Sequence, residues 1–239
     1  MNNHYLLFDL DNTLYSAELG FFKLIDANIN NYMKEKLHID TTLIETKRLV
    51  YFKKFGTTLK GLQLFYPVDP DDYLEYVHNV NIGAYLKKNI ELKKMLDDFD
   101  YPKAIFSNGN KEYIKNVLNI IGIQDCFTWI IDIKATDYIP KPYPESFGIA
   151  LEKLNAKADQ CVFIDDMRRN IKTATLMGFK TVWLQNPVIK DTAILFVDSG
   201  SIEDGRSKDL ANGTDNFRPD FIINNIMQLS TIIDKIWLP

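Results

Sequence analysis

Six short apolar runs recur along the chain, and each ends at polar residues. Because the runs do not alternate between apolar and polar residues, they are typical of strands that are buried on both faces of a parallel sheet. The runs are Tyr5–Phe8, Ala104–Phe106, Trp129–Ile133, Val162–Ile164, Thr181–Leu184 and Phe221–Ile223. A chain with this pattern therefore favours a sheet whose two faces are both covered.

The intervals between these runs carry apolar residues at helical spacing. Pro144 suits a first helical position, whereas Gly122 and Gly178 are expected to end helices. The apolar positions are Ile114, Val117, Leu118 and Ile121 in one interval, Phe147, Ala150, Leu151 and Leu154 in the next, and Ile171 and Ala174 in the third. Strands that alternate with helices predict an α/β fold with a doubly wound parallel sheet.

The interval from Leu14 to about Lys88 is too long for a simple connection between a strand and a helix. Its helical patterning predicts an inserted helical subdomain. We therefore divide the chain into an α/β core, residues 1–15 and 89–239, and a helical cap, residues 16–88. A second polar interval, residues 186–218, is predicted to be an exposed loop of unknown role.

Composition limits the classes of partner. The 239 residues carry a formal net charge of −4 without a basic block, so we expect no nucleic-acid polymer as a partner. The first residues lack a signal-peptide pattern and no apolar window reaches the length of a membrane span, so we expect a soluble, cytoplasmic protein with no membrane partner. Both a monomer and a homodimer remain open.

Polar residues at the carboxyl ends of the predicted strands are the site candidates, because ligands bind there in open parallel sheets. They are Asp9, Asp11 and Thr13 after the first run, Ser107 and Asn108 after the second, Asp165 and Asp166 after the fourth, and Lys141 in a proline-flanked loop. Neighbouring carboxylates repel each other unless a cation or proton intervenes. Four acids with one lysine predict a hard divalent cation, and Mg²⁺ fits best.

The same residue types suit phosphoryl transfer. A carboxylate such as Asp9 can attack phosphorus to form an aspartyl-phosphate. A second carboxyl, Asp11, can protonate the leaving oxygen and then deprotonate the water that cleaves the intermediate. Ser107 and the amides at the start of its helix would hold the phosphoryl group, while Lys141 would balance its charge.

The ordered set of Asp9-x-Asp11-x-Thr13, Ser107, Lys141 and Asp165-Asp166 resembles the four motifs of the haloacid dehalogenase-like hydrolase superfamily. The interval after the first motif resembles the helical cap of the first type in that superfamily. Further segments resemble the pyrimidine 5′-nucleotidase-like branch, namely 8–15, 55–62, 76–78, 139–147 and 163–166. The resemblance covers about Tyr5 to Leu184 and implies a Rossmann-like core.

The resemblance also implies residue roles. Asp9 would be the nucleophile and Asp11 the acid and base. The metal ligands would be Asp9, the carbonyl group of Asp11, Asp166 and, through water, Asp165. The phosphoryl group would be bound by Ser107 and Lys141, with help from Thr13 and from the backbone of Leu10 and Asn108. Many relatives carry a further acid where this chain has Asn170, a difference that bears on metal affinity.

We therefore expect a Mg²⁺-dependent phosphomonoester hydrolase whose substrate is a pyrimidine nucleoside 5′-monophosphate. The alternatives are a phosphatase of another small metabolite, such as a sugar phosphate or phosphoglycolate, or a catalytically silent binding protein. A dehalogenase would not need Asp11, and a phosphomutase would return the phosphoryl group to its substrate. Whether Thr57, Lys60 and His78 of the cap touch the substrate stays open.

Overall fold

The structure, a computed structural model, describes residues 4–185 and 217–237. Six strands form one parallel sheet in the order β3-β2-β1-β4-β5-β6. The strands are β1 (Tyr5–Phe8), β2 (Lys103–Phe106), β3 (Trp129–Ile131), β4 (Cys161–Asp165), β5 (Lys180–Leu184) and β6 (Phe221–Ile223). The predicted doubly wound, Rossmann-like sheet is confirmed. Most of the predicted polar loop lies outside the described residues.

Helices occupy the intervals in which the sequence predicted them, and the structure adds two that were not predicted. They are α1 (Phe22–Glu35), α2 (Thr41–Phe55), α3 (Thr58–Phe65), α4 (Pro70–His78), α5 (Ile90–Asp97), α6 (Lys111–Ile121), α7 (Pro144–Leu154), α8 (Arg168–Leu176) and α9 (Leu229–Ile232). The two that were not predicted are α5 and α9. Helices α1 to α4 form the inserted cap, and its assignment as a separate domain over 16–88 stays a prediction. In the described parts of the chain, no helix combines the length and the apolar composition that crossing a bilayer requires.

Apolar side chains cover both faces of the sheet, which explains why the strands do not alternate. On one face, Leu6 and Phe8 belong to a cluster that includes Val117 of α6. On the other face, Leu7 belongs to a cluster with Phe147 of α7. The central strands β1, β2 and β4 are buried on both sides, which holds this part of the sheet rigid and keeps the residues that follow these strands in place.

The third strand is shorter than predicted, because it ends at Ile131 rather than at Ile133. Asp132 follows it and is buried. Its carboxylate accepts hydrogen bonds from the backbone N–H groups of Lys111 and Ala135, each at 3.0 Å. These bonds turn the chain away from the sheet and tie the start of α6 to the end of β3. An acid next to an apolar run was overlooked in the sequence because two isoleucines surround it.

Candidate active site

The register of the sheet brings the predicted residues to one edge. Phe8 of β1 pairs with Ile105 of β2 and with Ile164 of β4. As a result, Asp9, Ser107 and Asp165, which come at or just beyond the ends of these strands, lie side by side. The backbone N–H of Asp9 donates to the carbonyl oxygen of Ile164 at 2.9 Å. The edge is the one at which open parallel sheets bind ligands.

Lys141 links the acids of this edge. Its Nζ donates to Oδ1 of Asp9 at 2.7 Å, to Oδ2 of Asp165 at 2.8 Å and to the carbonyl oxygen of Phe106 at 2.7 Å. The lysine side chain is only 1% exposed, so all three of its donors are used inside the protein. A buried ammonium with a full set of acceptors is stable only as part of this network.

The network also changes the acidity of its members. Burial disfavours the charged form of Lys141, but the carboxylates of Asp165 and Asp9 outweigh burial and raise its pKa. Burial raises the pKa of Asp9 to about 7, against the opposing pull of Lys141. Without a further positive charge, a fully ionised Asp9 is therefore costly in this environment.

Three carboxylates form a candidate metal centre. One oxygen each from Asp9, Asp165 and Asp166 lies within 4.8 Å of the others. Burial raises the pKa of Asp166 well above its usual value, and the neighbouring charges of Asp165 and Asp9 raise it further. A set of hard oxygen donors that repel each other suits a divalent cation such as Mg²⁺, which would relieve the repulsion.

Both oxygens of Asp165 accept hydrogen bonds from the protein. In addition to the bond from Lys141, Asp165 accepts from the backbone N–H of Met167 at 2.7 Å and from Nδ2 of Asn170 at 3.1 and 3.0 Å. Oδ1 of Asn170 is buried and has no hydrogen-bond partner among the described residues. The asparagine in the position of the expected acid thus holds Asp165 through its amide group, and its oxygen remains available.

The loop after β2 offers backbone donors. Oγ of Ser107 accepts from the N–H of Gly109 at 3.1 Å. The side chain of Asn108 accepts from the N–H of Lys141 at 2.8 Å and donates to its carbonyl oxygen at 3.2 Å, which holds the lysine loop in place. Among the described residues, the backbone N–H groups of Leu10 and Asn108 have no hydrogen-bond partner. Thr13 instead bonds to Asp9, donating to Oδ2 at 3.2 Å.

Two tyrosines bind the second acid. Oδ1 of Asp11 accepts from the hydroxyl groups of Tyr15 and Tyr113, both at 2.5 Å. Burial raises the pKa of Asp11, although the two hydrogen bonds oppose the shift. Sequence reasoning missed Tyr113, which lies 102 residues from Asp11. The one available signal was its place in the first turn of the helix that follows Ser107.

A cavity of about 180 Å³ separates Asp11 from the cap. Asn108 lines it from the core, while Arg48, Thr57 and His78 line it from the cap. Thr57 also caps α3 by accepting from the N–H of Lys60 at 3.1 Å. Lys60 itself is not among the residues that line the cavity. Of the three cap residues whose contact with the substrate the sequence left undecided, Thr57 and His78 are thus in a position to contact a ligand.

Arg169 joins the core to the cap. Its guanidinium group donates to the carbonyl oxygens of Phe52 at 2.7 Å and of Gly56 at 2.8 Å, and it lies 3.7 Å from the Phe52 ring centre. Gly56 has a φ of +80°, and a Cβ there would lie 3.0 Å from the carbonyl oxygen of Lys141. The absence of a side chain at Gly56 therefore lets the cap approach the loop that contains Lys141 closely. No motif or spacing in the sequence indicated a role for Arg169.

Comparison with known proteins identifies phosphatases and other proteins that are similar to this chain. Phosphate metabolism protein 8 of Saccharomyces cerevisiae is 28% identical over 190 residues, which cover 72% of this chain and 58% of that protein. The chain thus matches less than two thirds of that relative's length. Glyceraldehyde 3-phosphate phosphatase of Methanocaldococcus jannaschii is 26% identical over 249 aligned positions, which cover 97% of each chain.

The fold and the family are consistent with each other. L-2-haloacid dehalogenase from Xanthobacter autotrophicus shares the fold with a TM-score of 0.59 at 18% identity, over 97% of this chain and 98% of that one. The model of the haloacid dehalogenase-like hydrolases matches residues 5–178, which is most of the chain. The protein therefore belongs to the haloacid dehalogenase-like hydrolase family.

Proposed function

We propose that the protein is a Mg²⁺-dependent phosphomonoester hydrolase that forms an aspartyl-phosphate on Asp9. The observation that carries the proposal is the placement of Asp9. One of its oxygens is bound by the buried Lys141, it shares a cluster with Asp165 and Asp166, and Asp11 lies two residues away at the cavity. A dehalogenase needs the nucleophile but has no use for the second acid, so Asp11 favours phosphoryl transfer.

The reaction has two halves. In the first, an oxygen of Asp9 bonds to phosphorus while the bond from phosphorus to the leaving oxygen breaks, and Asp11 gives that oxygen a proton. In the second, Asp11 takes a proton from water, whose oxygen bonds to phosphorus as the bond to Asp9 breaks. The free N–H groups of Leu10 and Asn108, the Ser107 hydroxyl and Lys141 balance the phosphoryl charge.

The metal would be held by Asp9, by the carbonyl oxygen of Asp11 and by Asp166, with Asp165 acting through water. When bound, the ion supplies positive charge that lets a phosphate dianion approach a carboxylate. The buried, unpartnered Oδ1 of Asn170 suits a donor such as a metal-bound water. Both oxygens of Asp165 already accept from protein donors, which makes a direct bond from this residue to the metal unfavourable.

A pyrimidine nucleoside 5′-monophosphate is the substrate class that the motif resemblance supports. The cavity favours a second candidate, a phosphorylated metabolite with a small leaving group. Its volume of about 180 Å³ is close to the ~150 Å³ cavity that accepts a benzene molecule and below the roughly 300–1,000 Å³ of drug-sized pockets. Glyceraldehyde 3-phosphate phosphatase of Methanocaldococcus jannaschii, which is similar to this chain over 97% of its length, supports this candidate as well.

A panel of phosphorylated metabolites separates these possibilities. Phosphate release would be measured for UMP, CMP, glyceraldehyde 3-phosphate and phosphoglycolate, with Mg²⁺ or with a chelator, for the wild type and for Asp9→Asn. We expect Mg²⁺-dependent release by the wild type alone. Equal, negligible rates for both proteins on every compound would overturn the proposal in favour of a silent binding protein.

A further inference from the structure

Among the described residues, hydrogen-bond donors contact only one of the two carboxyl oxygens of Asp11. The hydroxyl groups of Tyr15 and Tyr113 both donate to Oδ1, and they lie 3.3 Å from each other. Both tyrosines are buried. Two phenol donors on one carboxyl oxygen favour negative charge on that oxygen, so a proton on Asp11 belongs on Oδ2.

The ring of Tyr113 lies between the core and the cap. The imidazole of His78, the last residue of α4, stacks on it with ring centres 4.2 Å apart and an angle of 11° between planes. Phe21, just before α1, is nearly parallel to it at 6.3 Å. Both neighbours belong to the inserted segment, so the position of the cap and the position of the Tyr113 hydroxyl depend on each other.

Residues of the core also contact Tyr113. Its backbone N–H donates to Oδ1 of Asn110, the residue that caps α6, at 3.0 Å. A Cβ at Gly109 would lie 3.0 Å from Cδ1 of Tyr113, so the ring approaches the loop of Ser107 closely. Tyr113, which binds Asp11 from the first turn of α6, therefore packs against the loop predicted to bind phosphate.

We propose that Tyr113, with Tyr15, is a positioning residue that directs the Oδ2 proton of Asp11 to the leaving oxygen, and that His78 of the cap holds Tyr113 in that position. The inference rests on the proposed phosphatase function. In the first half-reaction the O–H bond at Oδ2 of Asp11 breaks as the leaving oxygen gains the proton. The tyrosine O–H bonds stay intact throughout, so neither phenol is consumed.

Two aryl phosphates of nearly equal size test this role. Phenyl phosphate releases a strongly basic phenolate that needs a proton, whereas p-nitrophenyl phosphate releases a weakly basic one. For each substrate, kcat/KM depends on the steps up to and including phosphorylation of Asp9. The ratio of the two kcat/KM values therefore measures how much the enzyme helps the leaving group by protonation. Tyr113→Phe keeps the ring and removes only the hydroxyl group. The matched control is Tyr32→Phe, which removes a buried hydroxyl that donates to Asp72 at 2.7 Å within the cap.

For Tyr113→Phe we expect kcat/KM on phenyl phosphate to fall about tenfold or more, since a positioned acid supplies about 10²–10⁴-fold. On p-nitrophenyl phosphate the fall should stay within about threefold, because that leaving group needs little protonation. Tyr32→Phe should leave the ratio unchanged. Equal losses on both substrates, or no loss on either, would overturn the positioning role. If Tyr113→Phe does not fold, Tyr15→Phe makes the same measurement.

His78 is tested by the same ratio. His78→Phe keeps an aromatic ring against Tyr113 and should preserve the wild-type ratio, whereas His78→Ala should shift it in the direction of Tyr113→Phe. Equal ratios in the two variants would remove His78 from the inference and leave the tyrosines. A wild type that is inactive on both esters, or an Asp9→Asn variant that retains activity, would overturn the proposed function and this inference together.

Discussion

The floor and the roof of the cavity differ in chemistry. The floor is the core edge of the site, where Asp11 and Asn108 line the cavity and where a network of buried charges surrounds Lys141. The roof consists of cap helices and is mostly apolar or aromatic, with Phe22 and Phe52 among its lining residues. The contrast supports the proposal that the core carries out the reaction and that the cap selects the leaving group.

Burial disfavours the charged form of a side chain on both sides, and it therefore shifts the pKa of an acid and of a base in opposite directions. In the floor, it raises the pKa of Asp9 to about 7, so the ionised carboxylate requires compensating charge. In the roof, it lowers the pKa of His78 to about 4, so this imidazole is neutral near pH 7. A neutral ring can pack on Tyr113 without a counter-charge. The ionised floor therefore favours a nearby cation, in agreement with the proposed metal site, whereas the neutral imidazole of the roof does not.

The largest expected effect is in the floor. Asp9→Asn keeps the shape of the side chain but makes it a poor nucleophile, so we expect phosphate release to fall by about 10³-fold or more. The control is Asp125→Asn, which changes an exposed acid bound to Lys93 and should retain full activity. Substantial phosphate release by Asp9→Asn would contradict the covalent mechanism.

Lys141→Gln tests the charge balance of the floor. It leaves Asp9 and Asp165 without their shared cation, and breaking a buried pair in this way costs about 3–5 kcal/mol of the free energy of unfolding. Chemical denaturation without metal would measure the change. Lys93→Gln, which removes a partly exposed lysine bound to Asp97 and Asp125, should have a much smaller effect. Equal stabilities of the two variants would show that the buried network contributes nothing.

Asp166→Asn tests the repulsion at the proposed metal centre. The raised pKa of Asp166 means that the folded state binds its proton more tightly than the unfolded state, whose pKa is near 3.8. Asp166 therefore reduces stability progressively as the pH rises above that value. Without metal, Asp166→Asn should have a higher Tm than the wild type at pH 8, and the two Tm values should converge as the pH falls towards 4.

The same variant should respond differently to Mg²⁺. The ion should raise the Tm of the wild type, because it binds the folded state, and should raise that of Asp166→Asn much less. Asp220→Asn, which alters a carboxylate bound to Thr181 away from the cluster, is the control and should keep the Mg²⁺ response. A wild type whose Tm does not change with Mg²⁺ would argue against the centre.

The smallest effect is expected in the roof. Ile29 lines the cavity, and Ile29→Ala should enlarge it, so kcat/KM for UMP relative to glyceraldehyde 3-phosphate should rise by up to about tenfold. Ile120→Ala removes the same atoms from the core side of α6 and should leave the ratio unchanged. If Ile29→Ala lowers both rates equally, cavity volume does not select the leaving group.

The floor was predictable because its residues come in short motifs at strand ends. A buried apolar run that stops at Asp9 or at Asp165 specifies both the strand and the position of the acid, and a parallel sheet then brings the ends together. The unexpected detail was Asn170, whose amide group binds both oxygens of Asp165. Its contribution depends on a rotamer that residue type alone does not specify.

The roof was not predictable from the sequence. His78 meets Tyr113 and Arg169 meets Gly56 only after the cap has folded onto the core. These pairs follow no periodicity and are far apart in the chain, so only tertiary packing selects them. The helices of the cap were visible as apolar patterns, but the faces that they turn towards Asp11 were not.

Trapping the covalent intermediate tests the central claim most directly. Asp11→Asn, which should slow the hydrolysis of the aspartyl-phosphate, would be mixed with radiolabelled p-nitrophenyl phosphate, whose leaving group needs little protonation, and quenched in acid. One aliquot would be counted for protein-bound label, and a second would be reduced with borohydride and analysed by peptide sequencing. The account predicts protein-bound label and conversion of Asp9 to homoserine. Turnover of substrate by the wild type, combined with no label and an unmodified Asp9 in the variant, would contradict it.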